Sequence, residues 1–519
     1  MQLKAQEKAR EPSLSDASSP APSQYPAQED SSDFTAAEWE LDRAAVRRLD
    51  YTVLPLAAIA YLLNFLDRSN LGNAKVAGLA KDLHLTSHQY LICVTCTYVL
   101  YIVFEMPANL LLKKIGAHIA IPAMITAWGT VCCLTGLVQN YHGLVAARLI
   151  LGMCEAGLFP GLVLYLSMFY RRHELQTRIS LFFSAASLAG AFSGLLAAAI
   201  VKLNGKSGQA GWRWIFYLEG LFTALYGIAM FFVFPRSPAH SRFLSPEHKA
   251  HIARRLKLDS PAGVDDFEEK FDWKEVRKAA TSPHVILLFI ALFGNGLTLY
   301  GFGYFTPTIV QTFGYSPIKT QLLTVPPFIL AFLLTMFNAW WSDRYGRRGL
   351  CAILMSLLAL AGYISALFTF GRHVAFFLTT LALSVFFKSM AMAVRYTALF
   401  LAVSAVYSTA PALVTWLPNN SAGHYRKATA VAFGFISTNS GGIASTWLFP
   451  ANEGPRYYRA SCVLISMTIL IVVACSLNLL YLRRENRKKA ERRNTGQSSL
   501  DAASWAAEGD RHAHFVYSY

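Results

Sequence analysis

Charged residues are scarce in this chain. Asp, Glu, Lys and Arg supply only 15% of its 519 residues, against about a quarter in an average soluble protein. Hydrophobic residues supply 54%, and the mean hydropathy is +0.34. They fall in blocks of about 20 residues, the length that crosses a hydrocarbon core about 30 Å thick. The composition therefore excludes an ordinary soluble enzyme and a nucleic-acid-binding protein, and it predicts a protein embedded in a lipid bilayer.

The sequence also lacks the usual marks of secretion and of metal or redox chemistry. Residues 1–40 are rich in Ser, Pro, Ala and acidic residues and contain no apolar signal-peptide core. All eight cysteines fall in or beside apolar blocks. The C-x-x-C pair of Cys93 and Cys96 lies within one such block, so we interpret both residues as small buried hydrophobes. With no His-Glu-x-x-His motif present, we expect neither a metal nor a cofactor.

Six apolar blocks, a polar stretch and six further blocks follow one another along the chain. An even number of spans places both ends of the chain on one side of the membrane. Basic residues in alternate short loops and in the C-terminal tail indicate that this side is the cytosol. The pattern predicts a disordered cytosolic tail, an N-terminal six-helix bundle, a cytosolic central loop, a C-terminal six-helix bundle and a basic cytosolic tail, at residues 1–50, 51–234, 235–283, 284–482 and 483–519.

Residues 372–394 form a thirteenth apolar run that this scheme does not accommodate. If the run crossed the membrane, the basic loop at Arg426 and Lys427 and the basic tail would lie on opposite sides. Three interpretations stay open: extended outer ends of the ninth and tenth helices, a re-entrant or interfacial segment, or an unspliced intron in the gene model. A cDNA that retains these codons would reject the third.

Ionisable residues inside spanning helices are functional candidates, because each costs about 2.5–3.5 kcal/mol on insertion scales. The first helix carries Asp67, Arg68 and Asn70 in its outer half, and the fourth carries Arg148 and Glu155, two turns apart on one face. We expect the two acids and two arginines to meet around one cavity. Arginine there would bind a carboxylate, and a desolvated acid would carry a proton. The alternative is a structural ion-pair network that locks the two helices together.

Two other spans carry polar side chains. The seventh helix holds Asn295, Tyr300 and Tyr304 among repeated Gly and a Pro, so it is predicted to line the cavity, with helix packing as the alternative. In the sixth helix, Arg213 and Glu219 lie close to two Trp residues. We interpret this pair as interfacial anchors.

The loop after the eighth helix combines acidic, basic and glycine residues. Asp and Arg can pair across helix ends and Gly permits a tight turn, so the loop is a candidate conformational motif. Its sequence resembles the loop motif of the major facilitator superfamily, and four other segments resemble signatures of the anion:cation symporter family within it. The segments are Asp343-Arg344-Tyr345-Gly346-Arg347-Arg348 for the loop, and Leu66-Asp67-Arg68-Ser69-Asn70, Pro107-Ala108-Asn109, Arg148-x6-Glu155-Ala156-Gly157 and Gly211-Trp212-Arg213-Trp214.

The resemblance covers about residues 45–485 and is strongest to the fungal allantoate, nicotinate and pantothenate permeases. It implies an all-α membrane protein with the major facilitator fold, twelve transmembrane helices in two six-helix bundles that work by alternating access. It also implies proton-coupled uptake of organic anions, with proton coupling and carboxylate binding at Asp67, Arg68, Arg148 and Glu155. Two features depart from the family pattern: the loop between helices 2 and 3 lacks the Asp-Arg form of the motif, and the run 372–394 precedes helix 10.

We therefore predict a multi-pass secondary transporter that imports a small organic anion, such as a vitamin or a nitrogen-source acid, together with protons. We expect a monomer in the lipid bilayer of the plasma membrane, with both ends cytosolic and no nucleic-acid partner. An efflux carrier of a secondary metabolite or drug in the same fold is the alternative. A nutrient sensor and a membrane enzyme find no support, since neither a signalling domain nor a catalytic constellation is recognisable.

Overall fold

Long apolar helices make up most of this computed structural model, which describes residues 35–259, 273–370, 386–422, 424–450, 453, 457–495 and 509–519. In chain order the helices are α1 (Ala36–Val76), α2 (Leu79–Asp82), α3 (Ser87–Ile115), α4 (Ala117–Thr135), α5 (Tyr141–Glu155), α6 (Leu158–Ser167), α7 (Arg172–Ile200), α8 (Gly211–Val233), α9 (Pro246–Asp259), α10 (Trp273–Ala280), α11 (Pro283–Gln311), α12 (Pro317–Tyr345), α13 (Arg348–Phe370), α14 (Phe386–Asn419), α15 (His424–Thr446) and α16 (Tyr458–Asn494).

Within the described ranges, eleven helical segments are long and apolar enough to cross a bilayer, with α5 and α6 counting as one. The helix α15 falls outside this set, because polar residues interrupt its middle, yet it packs along α11 and contacts α3 and α14. With α15 the spans number twelve, as predicted, and the all-α fold is confirmed.

In the described part of the chain the two halves form two groups of helices, whose most extensive contacts with each other involve four helix pairs. Within the first half, α4 packs on α8, α1 on α7 and α3 on α5; within the second, α13 packs on α14, and α11 packs on α15 and α16. Small residues allow the closest crossings: a Cβ on Gly129 of α4 would lie only 2.4 Å from the backbone nitrogen of Ala224 in α8. Across the halves, α7 contacts α12 and α14, α1 contacts α11, and α3 contacts α15.

The helices alternate in direction, so the molecule has two ends. We call the "basic end" the one at which α3, α12 and α14 finish and α7 begins, and the "opposite end" the other. At the basic end, α9 is fastened to α1 and α7 by ion pairs. Arg255 of α9 is fully buried and donates to Asp42 of α1 at 2.9 Å and to Glu174 of α7, and Arg178 of α7 lies 2.8 Å from Asp50 of α1.

A C-terminal segment, residues 509–519, also packs against the basic end. Phe515 is fully buried in a cluster with side chains of α11, α13, α14 and α16. The indole Nε1 of Trp416 and the side-chain amide of Asn420 each donate to the backbone oxygen of Ser518 at 3.0 Å. The segment is therefore held by backbone hydrogen bonds as well as by apolar contact.

Arg426 at the start of α15 joins this segment to α10. It pairs with Asp510 at 2.6 Å and with Glu275 of α10. Burial works against ionisation of Glu275, but hydrogen bonds from Arg426 and Lys278 outweigh it, and the pKa of the carboxyl is lowered. Three separate parts of the chain thus meet at one guanidinium.

The predicted apolar run 372–394 falls largely outside the described residues, which stop at Phe370 and resume at Phe386. Residues 386–394 belong to α14, so the tenth span continues a helix that begins before Arg395. Most of the predicted N-terminal tail, part of the central loop and part of the C-terminal tail also lie outside the described ranges.

Candidate substrate and proton site

Arg68 of α1 lies at the centre of the molecule and connects the two halves. It is 5% exposed. Its Nε donates to Oε2 of Glu155 at 2.9 Å, and its Nη1 donates to the hydroxyl of Tyr300 in α11 at 3.1 Å. That hydroxyl in turn donates to Oδ1 of Asn439 in α15 at 3.3 Å. A chain of hydrogen bonds therefore runs from the fourth span through the first into the second half.

Aromatic rings surround the same guanidinium. Its central carbon lies 4.7 Å from the ring centre of Tyr101, 5.9 Å from that of Tyr98 and 5.8 Å from that of Phe65. Cation–π attraction at such distances is stronger where water is excluded. This cage was not predicted from the sequence, although Tyr98 and Tyr101 are three residues apart and so share one face of α3.

A small cavity lies between α1, α7, α11 and α12. Arg68, Tyr300, Tyr304 and Phe328 line it. Its volume is about 20 Å³, which suffices for a water molecule but not for an organic solute. In the described conformation this cavity is therefore too small to hold an organic solute.

The two halves also contact each other on both sides of Arg68 along the helix direction. Towards the opposite end, the hydroxyls of Thr95 in α3 and Thr446 in α15 are 2.8 Å apart. Towards the basic end, the rings of Phe159 in α6 and Phe435 in α15 lie 4.2 Å apart between centres. The structure therefore has contacts on both sides of Arg68.

Asp67 faces away from the cavity into the first half of the chain. Consecutive helix residues are about 100° apart, so Asp67 and Arg68 cannot both point at one ligand. Asp67 is fully buried and accepts from Trp128 Nε1 at 3.0 Å, Thr223 Oγ1 at 3.1 Å, Asn70 Nδ2 at 3.3 Å and Cys132 Sγ at 3.4 Å. The expected meeting of two acids and two arginines around one cavity is corrected: Asp67 and Asn70 form a separate site.

Arg148 joins neither group directly. It is 2% exposed, its guanidinium carbon lies 5.3 Å from the ring centre of Phe216, and no carboxylate of the described residues comes within ion-pair distance. Glu155, two turns further along the chain, is fully buried at the end of α5. Its Oε2 pairs with Arg68, and its Oε1 has no hydrogen-bond partner in the described part of the chain.

Glu219 of α8 is buried, so its interpretation as an interfacial anchor is wrong. It is 5% exposed and lies on a helix face whose other members are fully buried, Trp212, Phe216 and Thr223. The spacing of four, three and four residues is that of one helix face and was the missed signal. Arg213, by contrast, lies near the opposite end, where its Nη2 is 3.6 Å from Asp82.

Asn295 does not line the cavity, which corrects another prediction. Its Nδ2 donates to the backbone oxygen of Val406 in α14 at 3.3 Å, inside the second half. Tyr300 and Tyr304, one turn apart, do line it. Asn295 precedes Tyr300 by five residues, about 140° around the helix, and so it lies on a different face.

The predicted conformational motif forms a tight turn at the basic end. Gly346 adopts φ +62° after the last residue of α12, a conformation that favours glycine. Arg348 is buried and donates to a backbone oxygen of α14 at 3.3 Å, whereas Arg344 and Arg347 are exposed. The side chain of Asp343 lies outside the described set.

Among described residues, no three His, Cys, Asp or Glu converge to hold a metal ion.

Comparison with known proteins gives concordant matches. Residues 57–446 match the sequence profile of the Major Facilitator Superfamily. An uncharacterised transporter of Schizosaccharomyces pombe is 36% identical over 91% of this chain and 89% of its own length. The high-affinity nicotinic acid transporter of Saccharomyces cerevisiae is 30% identical over 86% of this chain and 79% of its own. Among solved structures, the E. coli xylose transporter in a partially occluded inward-open conformation superposes with a TM-score of 0.59 at 15% identity, covering 81% of this chain and 96% of that one.

Proposed function

The chain belongs to the major facilitator superfamily, and we propose on that basis that it imports a small organic anion together with protons. Membership of the family makes it a multi-pass membrane transporter of a small molecule rather than an enzyme. The observation that carries the finer proposal is Arg68, a buried cation at the contact between the two halves. A buried arginine at a cavity is the side chain best suited to a carboxylate, because its fork of N–H groups matches the two oxygens.

The walls around Arg68 favour a flat, partly apolar acid. Rings of Tyr98, Tyr300, Tyr304 and Phe328 lie at or beside the cavity. Aromatic rings offer stacking surface to a planar ligand, while Arg68 would bind its carboxylate. The relative named as a high-affinity nicotinic acid transporter supports this class of substrate, and nicotinate is the first acid to test.

The ion pair of Arg68 with Glu155 supplies a route to proton coupling. An incoming carboxylate would compete with Glu155 for the same guanidinium. Glu155 would then be left buried without a counter-charge, and such a carboxyl is far more stable when it binds a proton. Binding of one anion would thereby draw one proton into the site, with no net change in charge. Asp67 would bind a further proton in its own pocket.

Alternating access would come from rocking of the two halves around Arg68. We propose the units 51–234 and 284–482 as these moving bundles, joined by the segment 235–283, which contains α9 and α10. Both tails and the basic end would lie in the cytosol, since basic loops favour that side. The plasma membrane is the proposed location and a monomer the proposed functional unit.

Proton flux driven by a substrate tests this function. Purified protein is reconstituted in liposomes that enclose a pH dye, and nicotinate, allantoate, pantothenate and tartrate are added in turn. We expect internal acidification with one of these acids, and its loss in the Glu155→Gln variant. Glu105→Gln is the matched control, because Glu105 is also a buried span carboxyl, 6% exposed, but forms no ion pair with Arg68 among the described residues.

The result separates import from its alternatives. Acidification that persists in Glu155→Gln contradicts the assigned role of Glu155. Flux that occurs only when the acid is loaded inside the liposomes favours the efflux carrier. A folded protein that responds to none of the acids overturns the proposed substrate class.

A further inference from the structure

One buried carboxyl in the first half of the chain, that of Glu219 in α8, faces no cation among the described residues. Glu219 is 5% exposed, and neither of its carboxyl oxygens has a hydrogen-bond partner among the described residues. A bare carboxylate in such a place bears the full cost of desolvation, whereas the neutral acid bears much less. The environment therefore fits the protonated form of Glu219.

The neighbouring Asp67 has the reverse environment. It receives four hydrogen bonds, from Trp128, Cys132, Thr223 and Asn70. Donors directed at both oxygens stabilise the ionised carboxylate. One of these donors, Thr223, lies one turn from Glu219 on α8, so the two carboxyls share one buried pocket in which the hydrogen bonds that meet ordinary geometry go to Asp67.

Asn70 connects the two carboxyls. Its Nδ2 donates to Oδ1 of Asp67 at 3.3 Å, and its amide lies beside the carboxyl of Glu219. Its Oδ1 is fully buried and lacks a donor within the described residues. The Asn70 side chain thus lies beside both carboxyls, and the pocket is short of hydrogen-bond donors. A proton on Glu219 would supply a donor to this pocket and remove the repulsion between two neighbouring carboxylates.

The surrounding helices provide little else that could neutralise Glu219. Helix α1 contributes Asp67, whose negative charge repels a second carboxylate, and α4 contributes the thiol of Cys132. Arg148 of α5 lies against Phe216, one turn from Glu219 along α8, and forms no hydrogen bond to Glu219 among the described residues. The charged side chains of α7 lie at the basic end, and Lys202 beside the start of α8 is exposed at the opposite end.

We propose that Glu219 is an additional proton-binding carboxyl of this carrier, besides Glu155 and Asp67, and shares a buried site with Asp67 through Asn70. In the described state Glu219 holds the proton and Asp67 the negative charge. Loss of the proton from Glu219 would leave two carboxylates in the pocket, so the site refills with a proton before the cycle continues. Glu219 lies eight residues, about 12 Å, from the start of α8 at the opposite end, the side from which protons would enter.

Infrared spectroscopy tests the protonation without any substrate. Purified wild-type protein and Glu219→Gln are reconstituted in liposomes at pH 7, and the carbonyl stretch of protonated carboxylic acids is compared. We expect an acid band that is present in the wild type and absent from Glu219→Gln. In Asp67→Asn, which lacks the neighbouring charge, part of that band should move to the carboxylate region at the same pH.

Other spectra would overturn the proposal. An acid band unchanged in Glu219→Gln but lost in Asp67→Asn would place the proton on Asp67. Absence of the band, with carboxylate bands that shift when sodium is added, would show that the pair holds a cation. The Glu105→Gln spectrum controls for loss of a different buried carboxyl, and thermal unfolding of each variant checks that it is folded.

The role in transport rests on the proposed function and needs its own measurement. Each proton that binds together with the substrate changes the apparent affinity by about tenfold per pH unit, over the pH range in which the free carrier has lost that proton. The apparent affinity for nicotinate is measured from uptake by liposomes at several pH values. Its change per pH unit should be about tenfold smaller in Glu219→Gln than in the wild type. An unchanged slope overturns the coupling role. Absence of nicotinate uptake by the wild type contradicts the proposed substrate and leaves the infrared result standing.

Discussion

A single methyl group at Gly72 should shift the balance between conformations of the carrier. Gly72 of α1 contacts α11 near the opposite end, and a Cβ there would lie 2.4 Å from the backbone oxygen of Tyr304, where ordinary contact begins at 3.4 Å. The helices would have to separate by about 1 Å. Overpacking of this kind costs about 1–3 kcal/mol, and the higher helix propensity of Ala adds equally to every state. The closed state should lose population by about 5- to 150-fold relative to one in which α1 and α11 are apart.

Cross-linking across the opposite end measures this shift. In a Thr95→Cys, Thr446→Cys background the two thiols replace hydroxyls that lie 2.8 Å apart, and the disulfide is identified by mass spectrometry. Gly72→Ala should slow its formation, by the full factor if the closed state is the minor one and by less if it is dominant. Gly129→Ala is the matched control, because its Cβ also meets backbone at 2.4 Å, but in α8 of the same half. It should lower thermal stability without slowing the cross-link. Equal cross-linking rates in Gly72→Ala and its parent would refute the reasoning.

Three further predictions concern the contacts of Arg68 and the C-terminal segment. Tyr300→Phe removes the hydroxyl that links Arg68 to α15, so the apparent affinity for the transported acid should weaken by about 0.5–1.5 kcal/mol, measured as KM for uptake. Arg68→Lys keeps the charge but loses the fork of donors, and it should weaken affinity by about 1.5–3 kcal/mol without unfolding the protein in a thermal melt. The pKa of Glu275 is lowered in the folded state from its ordinary value of 4.5. The ion pair of Glu275 with Arg426 therefore stabilises docking of residues 509–519 fully above pH 4.5. This stabilisation is lost as the pH falls through the lowered pKa of the folded state. Hydrogen exchange of residues 509–519, corrected for intrinsic rates, should rise over this acidic range, and Glu275→Gln should show the raised exchange already at neutral pH.

The number and order of the spanning helices could be predicted from the sequence because they depend on the length of each apolar block and on the positions of charged residues between the blocks. A block of about 20 apolar residues has few alternatives to a spanning helix. Basic loops and the position of the central polar stretch then set the pairing of blocks into two halves. The fold followed from these features even where one helix, α15, is more polar than the other spans.

The candidate site was harder to predict, because depth along a helix is easier to infer than direction around it. Arg68 and Glu155 were expected to meet, and they do, at 2.9 Å. Asp67 was grouped with them because it is adjacent in sequence, although a rotation of about 100° per residue turns it towards α4 and α8. Partners on other helices, such as Asn439 for Tyr300, depend on how the spans pack. Nothing in a single sequence gives that packing.

The polar character of α15 has a consequence for how the protein is made. Residues Ser437 to Ser440 lie in the middle of this helix, and each polar residue makes release from the translocon into lipid less favourable. In the folded protein α15 is instead embedded against α11, with α3 and α14 beside it. Insertion of α15 should therefore require that α11 is already inserted in the bilayer, where it shields residues 437–440 from lipid. The eleventh span would be the step at which biogenesis stalls when earlier helices are damaged.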